Sequence, residues 1–310
     1  MSMTPKISRR AALAGAAALP LAAATAGATR AAAPLMGPQM SPFQRFRVGG
    51  FDVTTLLAGS VERGEPQSMF GMNVDAETFN AASASANIPN DKAQFFFTPT
   101  VVNTGAELVL FDTGLSGEGT TAALGSAGYT AEQIDVVVLT HMHGDHVGGM
   151  TLEDGSLSFP NARYVAGRVE YDAWMTRDNN DRFMTKVVPF AEQITFIEPG
   201  QDVASGLTAM NAFGHTPGHM NYMIESDGTQ LYIGADFANH YVWSLAHPDW
   251  EVKFDIDKEA AAAKRREILD MLATDKIPFV GYHMPWPGVG YVDTKGDGFA
   301  YVPHSYQLML

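Results

Sequence analysis

Four residues within one six-residue stretch are able to bind metal: His141, His143, Asp145 and His146, in the run His141-Met142-His143-Gly144-Asp145-His146. Imidazole nitrogens and a carboxylate suit Zn first, and also Fe, Mn or Co. A catalytic ion takes about three protein ligands plus water. Four ligands in one loop exceed that need and point to two divalent ions sharing them. Two ions want roughly seven protein ligands, and the remainder can be sought downstream. Gly214-His215-Thr216-Pro217-Gly218-His219 is a Gly- and Pro-punctuated turn with two histidines. Gly234-Ala235-Asp236 ends in a carboxylate suited to bridging two cations, and Tyr282-His283 adds a late imidazole. The chain has no cysteine, so thiolate sites and disulfides are excluded.

Rigid elements must deliver these side chains. Leu108-Val109-Leu110-Phe111, Val136-Val137-Val138-Leu139, Leu231-Tyr232-Ile233 and Pro278-Phe279-Val280 are continuous apolar runs. Their length and β-branched content predict strands buried on both faces. Asp112, His141, Asp236 and His283 follow them, so four strand ends each present a polar residue, where sites are usually built. Helices are predicted over 257–273, with Asp257 as N-cap, over about 169–176, and over 119–127. Buried strands with helices between them imply sheets covered by helices, an α/β architecture.

The first 33 residues read as an export signal. Lys6, Arg9 and Arg10 precede an Ala-rich run broken by Pro20, too weakly apolar for a membrane span. Ser8-Arg9-Arg10 resembles a twin-arginine signal. This implies a periplasmic or secreted protein with no membrane anchor after signal removal. Residues 34–45 read as an irregular arm, and 46–310 as one domain. The formal charge of -14 argues against nucleic acid as a partner, since phosphate binding wants clustered Lys and Arg.

The order His-x-His-x-Asp-His, Gly-His-Thr-Pro-Gly-His, Gly-x-Asp and a late His is similar to the metallo-β-lactamase fold superfamily. Asp112-Thr113-Gly114 resembles that superfamily's first motif. The resemblance implies an αββα four-layer sandwich with the site along one edge of its sheets. It implies that His141, His143 and His219 hold one ion, that Asp145, His146 and His283 hold the other, and that Asp236 bridges them. Asp112 would orient a ligand histidine, and His215 would structure its loop. His240, His247 and His304 lack motif support and read as packing or surface residues.

His283-Met284-Pro285-Trp286-Pro287 and the later Phe299-Ala300-Tyr301-Val302-Pro303, with the export signal, resemble the methyl parathion hydrolase branch, whose wider group includes lactonases. This implies a dinuclear hydrolase in which a metal-bridging hydroxide cleaves an organophosphate triester, an aryl ester or a lactone. The alternatives are an N-acyl-homoserine-lactone lactonase, or a β-lactam or thioester hydrolase on the same fold. Asp145 and Asp236 would be the catalytic carboxylates, and Asp145 would also shuttle a proton. A Tyr soon after the bridging Asp, common in the lactonases, is not cleanly matched by Phe237-Ala238-Asn239-His240-Tyr241. Expected pocket residues are Leu115, Met142, Trp174, Phe183, Phe237 and Trp286. A homodimer is a further family expectation.

Overall fold

Residues of the run 136–139 alternate between two cores, as a strand's period of two requires. Val136 and Val138 belong to one cluster and Val137 and Leu139 to another. The computed structural model describes residues 39–306 together with Leu35 and Gly37. The export signal expected over 1–33 lies outside the described residues.

The first sheet holds β1 (Phe43–Val48), β2 (Phe51–Leu56), β5 (Thr100–Asn103), β6 (Leu108–Phe111), β7 (Val136–Leu139), β8 (Arg163–Gly167) and β9 (Ile194–Ile197), in that spatial order. β6 to β9 run parallel. The second sheet is ordered β10 (Asp202–Ala204), β11 (Leu207–Asn211), β12 (Met220–Ser226), β13 (Thr229–Ala235), β14 (Phe279–Gly281), β15 (Val289–Lys295) and β16 (Gly298–Pro303). Within it β13 and β14 form the parallel pair. A separate antiparallel ribbon joins β3 (Gly59–Gly64) to β4 (Lys92–Phe97). β1 begins at Phe43, inside the stretch read as an arm, because Phe43 pairs with Leu56.

The sheets pack face to face. One core cluster joins Val102, Val109 and Val138 of the first sheet to Ala209, Tyr222 and Ile233 of the second. On the outer face of the first sheet lie α2 (Gly117–Ser126), α4 (Arg168–Trp174) and α5 (Asp181–Lys186), through Leu124, Trp174 and Phe183. On the outer face of the second lies α6 (Lys258–Asp275), through Ile268, Leu269 and Leu272. This is the expected four-layer αββα sandwich. Asp257 caps α6 by accepting the Ala260 N–H at 3.0 Å. The ribbon forms a fourth cluster with Phe79 of α1 (Ala76–Ser85), Trp243 and Trp250. Among the described residues no helix is long and apolar enough to cross a membrane.

Candidate metal centre

The C-terminal ends of the parallel strands converge on one edge, the place where open α/β sheets build their sites. Asp112 follows β6, His141 follows β7, Asp236 follows β13 and His283 follows β14. The loop after β7 carries His141 and His143 and then enters α3 (Gly144–Val147), which holds Asp145 and His146. His215 comes from the loop joining β11 to β12.

Two donor groups form there: His141, His143, His215 and Asp236, and Asp145, His146 and His283, with donor atoms within 4.8 Å of one another in each. In the first, His143 Nδ1 lies 3.1 Å from His141 Nε2 and 2.9 Å from His215 Nε2. The three rings meet edge to face, at 82°, 84° and 85°. In the second, His283 Nε2 is 3.3 Å from Asp145 Oδ2, and His146 Nε2 is 3.8 Å from the same oxygen. Asp236 stands between the groups. Its Oδ1 is 3.3 Å from His146 Nε2, and its Oδ2 is 3.3 Å from His283 Nε2 and 3.5 Å from His215 Nε2.

The far nitrogens of these rings fix which lone pairs face inward. His146 Nδ1 donates to Asp112 Oδ2 at 2.8 Å. His215 Nδ1 donates to Asp255 Oδ1 at 2.8 Å, and Asp255 Oδ2 accepts from Arg265 Nη2 at 2.6 Å. His283 Nδ1 donates to the Phe96 carbonyl at 2.8 Å. His141 Nδ1 donates to Thr140 Oγ1 at 3.1 Å, and that hydroxyl donates to Asp112 Oδ2. Asp112 holds a left-handed φ of 61°, strain typical of functional sites, and also accepts the Thr140 N–H at 2.8 Å. Asn239 Nδ2 steadies Asp236 Oδ2 at 2.9 Å, and Tyr282 Oη donates to the Asp145 carbonyl at 2.6 Å.

The residues fit two divalent cations. Buried polar atoms are ordinarily paired, yet His146 Nε2 and Asp236 Oδ1 have no hydrogen-bond partner although both are buried. Four imidazoles turn one nitrogen inward with the other already committed as a donor, and two carboxylates supply compensating charge. The electrostatics divide the site. Burial and the surrounding imidazoles drive His141 well below the ordinary histidine range, and burial with His215 takes His143 down to about 3. Burial opposes the charged form of His146 and His283, but Asp236 and its neighbours win, raising His146 well above its usual value and His283 to about 10. Asp236 is driven well below the usual carboxylate range against its burial by His283 and His146, and Asp145 falls to about 2 with His146 as the main cause.

His219 departs from the expected ligand set, and His215 takes its place. His219 is fully buried, with Nδ1 donating to the Ala212 carbonyl at 3.2 Å and Nε2 accepting the Asp236 N–H at 3.4 Å. Both its nitrogens are occupied by backbone, so it braces Asp236. His240 stacks on Trp243 at 3.9 Å and accepts two backbone N–H groups, and His247 stacks on Trp250, so both are packing residues.

A cavity of about 590 Å³ opens over the centre, with His143, Asp145, Asp236 and His283 in its wall. Its apolar surface comes from Val61, Met69, Phe95, Phe97, Leu115 and Phe254, and Arg63, Arg182 and Lys253 also border it. Of the expected pocket residues, Leu115 lines it. Met142 is turned into the outer core, because the residue between two site-facing histidines points the opposite way. Phe183 is fully buried in the same core. Trp174 is buried behind His143, its ring edge-on at 5.6 Å. Phe237 packs on Tyr232 and Phe279 beneath α6. Trp286 is half-buried and off the cavity wall. The aromatics that do face the cavity come largely from the β3–β4 ribbon, which the motifs did not signal.

Known proteins resemble this chain in sequence and in fold. A model of the metallo-beta-lactamase superfamily matches residues 98–281. An N-acyl homoserine lactonase of Bacillus sp. is 27% identical over 157 residues, which are 50% of this chain and 58% of that protein. The chain thus spans little more than half the length of that curated relative. The solved structure of AidC, a dizinc quorum-quenching lactonase in complex with a product, N-hexanoyl-L-homoserine, superposes with a TM-score of 0.80 at 25% identity, covering 86% of this chain and 98% of that one. The hydrolase AbOPH of the beta-lactamase superfamily shares the fold, with a TM-score of 0.79 at 22% identity over 87% of this chain and 99% of that one. With the family model covering more than half of its residues, and including the edge from Asp112 to Gly281, the chain belongs to the metallo-beta-lactamase superfamily.

Proposed function

We propose that this protein is a hydrolase that uses two divalent cations, zinc first among them, to cleave an ester-type bond, with a lactone as the leading substrate class. The observation that carries the reading is Asp236, shared between two donor groups at the floor of an open cavity. The lactonases among the relatives support the lactone.

Two cations held by these residues would supply Lewis acidity toward a carbonyl oxygen and a water made nucleophilic near neutral pH. The chain's own residues do the rest. His141, His143 and His215 would hold one ion, Asp145, His146 and His283 the other, and Asp236 both. Asp145 is the more exposed of the two carboxylates and borders the cavity, so its Oδ2 is placed to carry a proton from the attacking water to the departing alkoxide. Phe95, Phe97, Leu115 and Phe254 seat an acyl or aryl arm and exclude water beside the reacting carbonyl.

The test is a substrate panel on protein whose metal content has been measured: acyl lactones of several chain lengths, phenyl acetate and a paraoxon-type triester. Turnover is expected with two metals per chain and lost on chelation. Asp236→Ala is expected to lower kcat/KM on the order of a thousandfold, the scale of several kcal/mol of metal-derived stabilisation. Full turnover after complete metal removal, or none of these substrates cleaved by the dimetal protein, would overturn the proposal.

A further inference from the structure

The cavity combines an apolar wall with three cationic side chains that pair with no carboxylate. The chain is acidic, with 34 Asp and Glu against 20 Lys and Arg. Eight of its sixteen described cations pair with carboxylates: Arg47, Lys92, Arg163, Arg168, Lys264, Arg265, Arg266 and Lys276. Arg63, Arg182 and Lys253 border the cavity, and among the described residues none of them forms an ion pair. Among the described residues, the carboxylates in the cavity wall are Asp145 and Asp236, both committed to the donor groups. Three of the eight described cations without a carboxylate partner thus share one mouth, where their charge is available to what enters.

Arg182 is held in place. Its Nη1 donates to the Gly144 carbonyl at 2.8 Å. Its side chain lies across the metal loop in space that two glycines leave open. A Cβ on Gly144 would meet Arg182 Cδ at 2.6 Å, and one on Gly148 would meet Nη1 at 3.0 Å. One of five guanidinium donors is used on the carbonyl, which leaves others free for an anion. Arg63 stands on β3 two residues from Val61, so strand alternation puts both on the cavity side of the ribbon. Lys253 comes from the segment after Val252, where its backbone N–H bonds to the Met69 carbonyl at 2.8 Å.

We propose that Arg63, Arg182 and Lys253 form a specificity rim that selects substrates with an anionic group on the arm that fills the apolar wall, so that the preferred ester or lactone is an acidic one. This rests on the hydrolytic reading of the same cavity.

The experiment compares two esters of matched length on the dimetal protein: 4-nitrophenyl hexanoate, and the mono-4-nitrophenyl ester of adipic acid, which ends in a carboxylate. The readout is the ratio of kcat/KM for the acidic ester to that for the neutral one. The ratio is expected to exceed one and to fall as salt is added. It is expected to fall about two- to five-fold for each of Arg63→Gln, Arg182→Gln and Lys253→Gln, the scale of one exposed charge pair. Lys295→Gln, on the exposed β15–β16 hairpin, is expected to leave it unchanged. A ratio below one, or one that no rim variant alters, would overturn the rim even though the hydrolase stands. Should neither ester be cleaved, the lactone panel still decides the hydrolytic reading, and fluorescence titration with 2-naphthalenesulfonate against 2-naphthalenemethanol decides the rim by itself. Tighter sulfonate binding that weakens in the Arg63→Gln, Lys253→Gln double variant supports it, and equal binding of the two probes refutes it.

Discussion

His215 and His219 sit four residues apart in one loop and have opposite duties, set by what their ring nitrogens face. His215 turns Nε2 toward His143 and Asp236 while Asp255 holds its Nδ1. His219 spends both nitrogens on backbone groups. His215→Ala is therefore expected to lower bound metal below two per chain with a circular-dichroism spectrum unchanged from wild type. His219→Leu is expected to keep the metal count near two and lower the melting temperature, as loss of a buried hydrogen-bonded group costs about 1–3 kcal/mol. The reverse pattern of metal analysis would exchange the two assignments. Every other member of the two donor groups was legible in the sequence, because the strand-end positions of His141, Asp236 and His283 and the tight spacing of the 141–146 run force convergence. The choice between two histidines in a Gly-Pro turn was not legible. It depends on which ring the turn presses against the Ala212 carbonyl, and nothing in the spacing encodes that.

Among the elements, α4 ties the two histidine loops together through one side chain. Glu170 is fully buried. Its Oε1 accepts the Met142 N–H at 2.9 Å, between His141 and His143, and its Oε2 accepts Thr216 Oγ1 and the Gly218 N–H, both at 2.8 Å. Burial raises its carboxyl above the usual range, and the three donors work against that rise. Glu170→Gln replaces one acceptor oxygen by a donor and must strand at least one buried N–H. Denaturant melts are expected to show a loss of about 1–3 kcal/mol, and metal titrations a fall of roughly ten- to a hundredfold in affinity, typical where the support of a ligand is removed. Thr216→Val, which removes only one donor, should show less of both. An unchanged metal affinity in Glu170→Gln would show that the loops hold their geometry without α4. The strands, the helix after Asp257 and the layered order were readable from apolar runs and caps. The β3–β4 ribbon was not. Gly59–Gly64 carries one apolar residue, Val61, and its partner strand lies far along the chain. Its aromatics, Phe95 and Phe97, reach the cavity only through tertiary packing, whereas Trp174 and Phe183, expected there, lie in the outer core.

At the scale of the whole molecule, metal and protons compete for one set of atoms. His283 is raised to about 10 and His146 well above its usual value, so both carry protons at neutral pH unless a cation displaces them. Metal uptake is therefore expected to release protons, and affinity to rise with pH between about 6 and 9. Calorimetry in buffers of different ionisation enthalpy measures the release, and a pH-independent affinity would contradict it. The same shifts set the stability of metal-stripped protein. The two imidazoles have folded pKa values above the unfolded value of about 6.5, so their contribution is complete below that pH and fades as pH climbs through about 10. Asp145 and Asp236 are depressed, so theirs is complete above about 4 and fades as pH falls toward 2. His141 and His143 are depressed, so protonation of the unfolded chain removes stability below about 6.5. Chelated protein should therefore melt highest at about pH 6.5 to 7, and a melting temperature that rises from pH 7 to 10 would refute the account. The donors also divide by sheet. His141, His143, Asp145 and His146 follow β7, whereas His215, Asp236 and His283 belong to the second sheet. A half-made chain has the first set and nowhere to complete it, and the sheets cannot part without tearing the ions from one side. Metal bound across the two sets would act as a latch on a finished molecule, and is expected to slow unfolding more than it speeds folding.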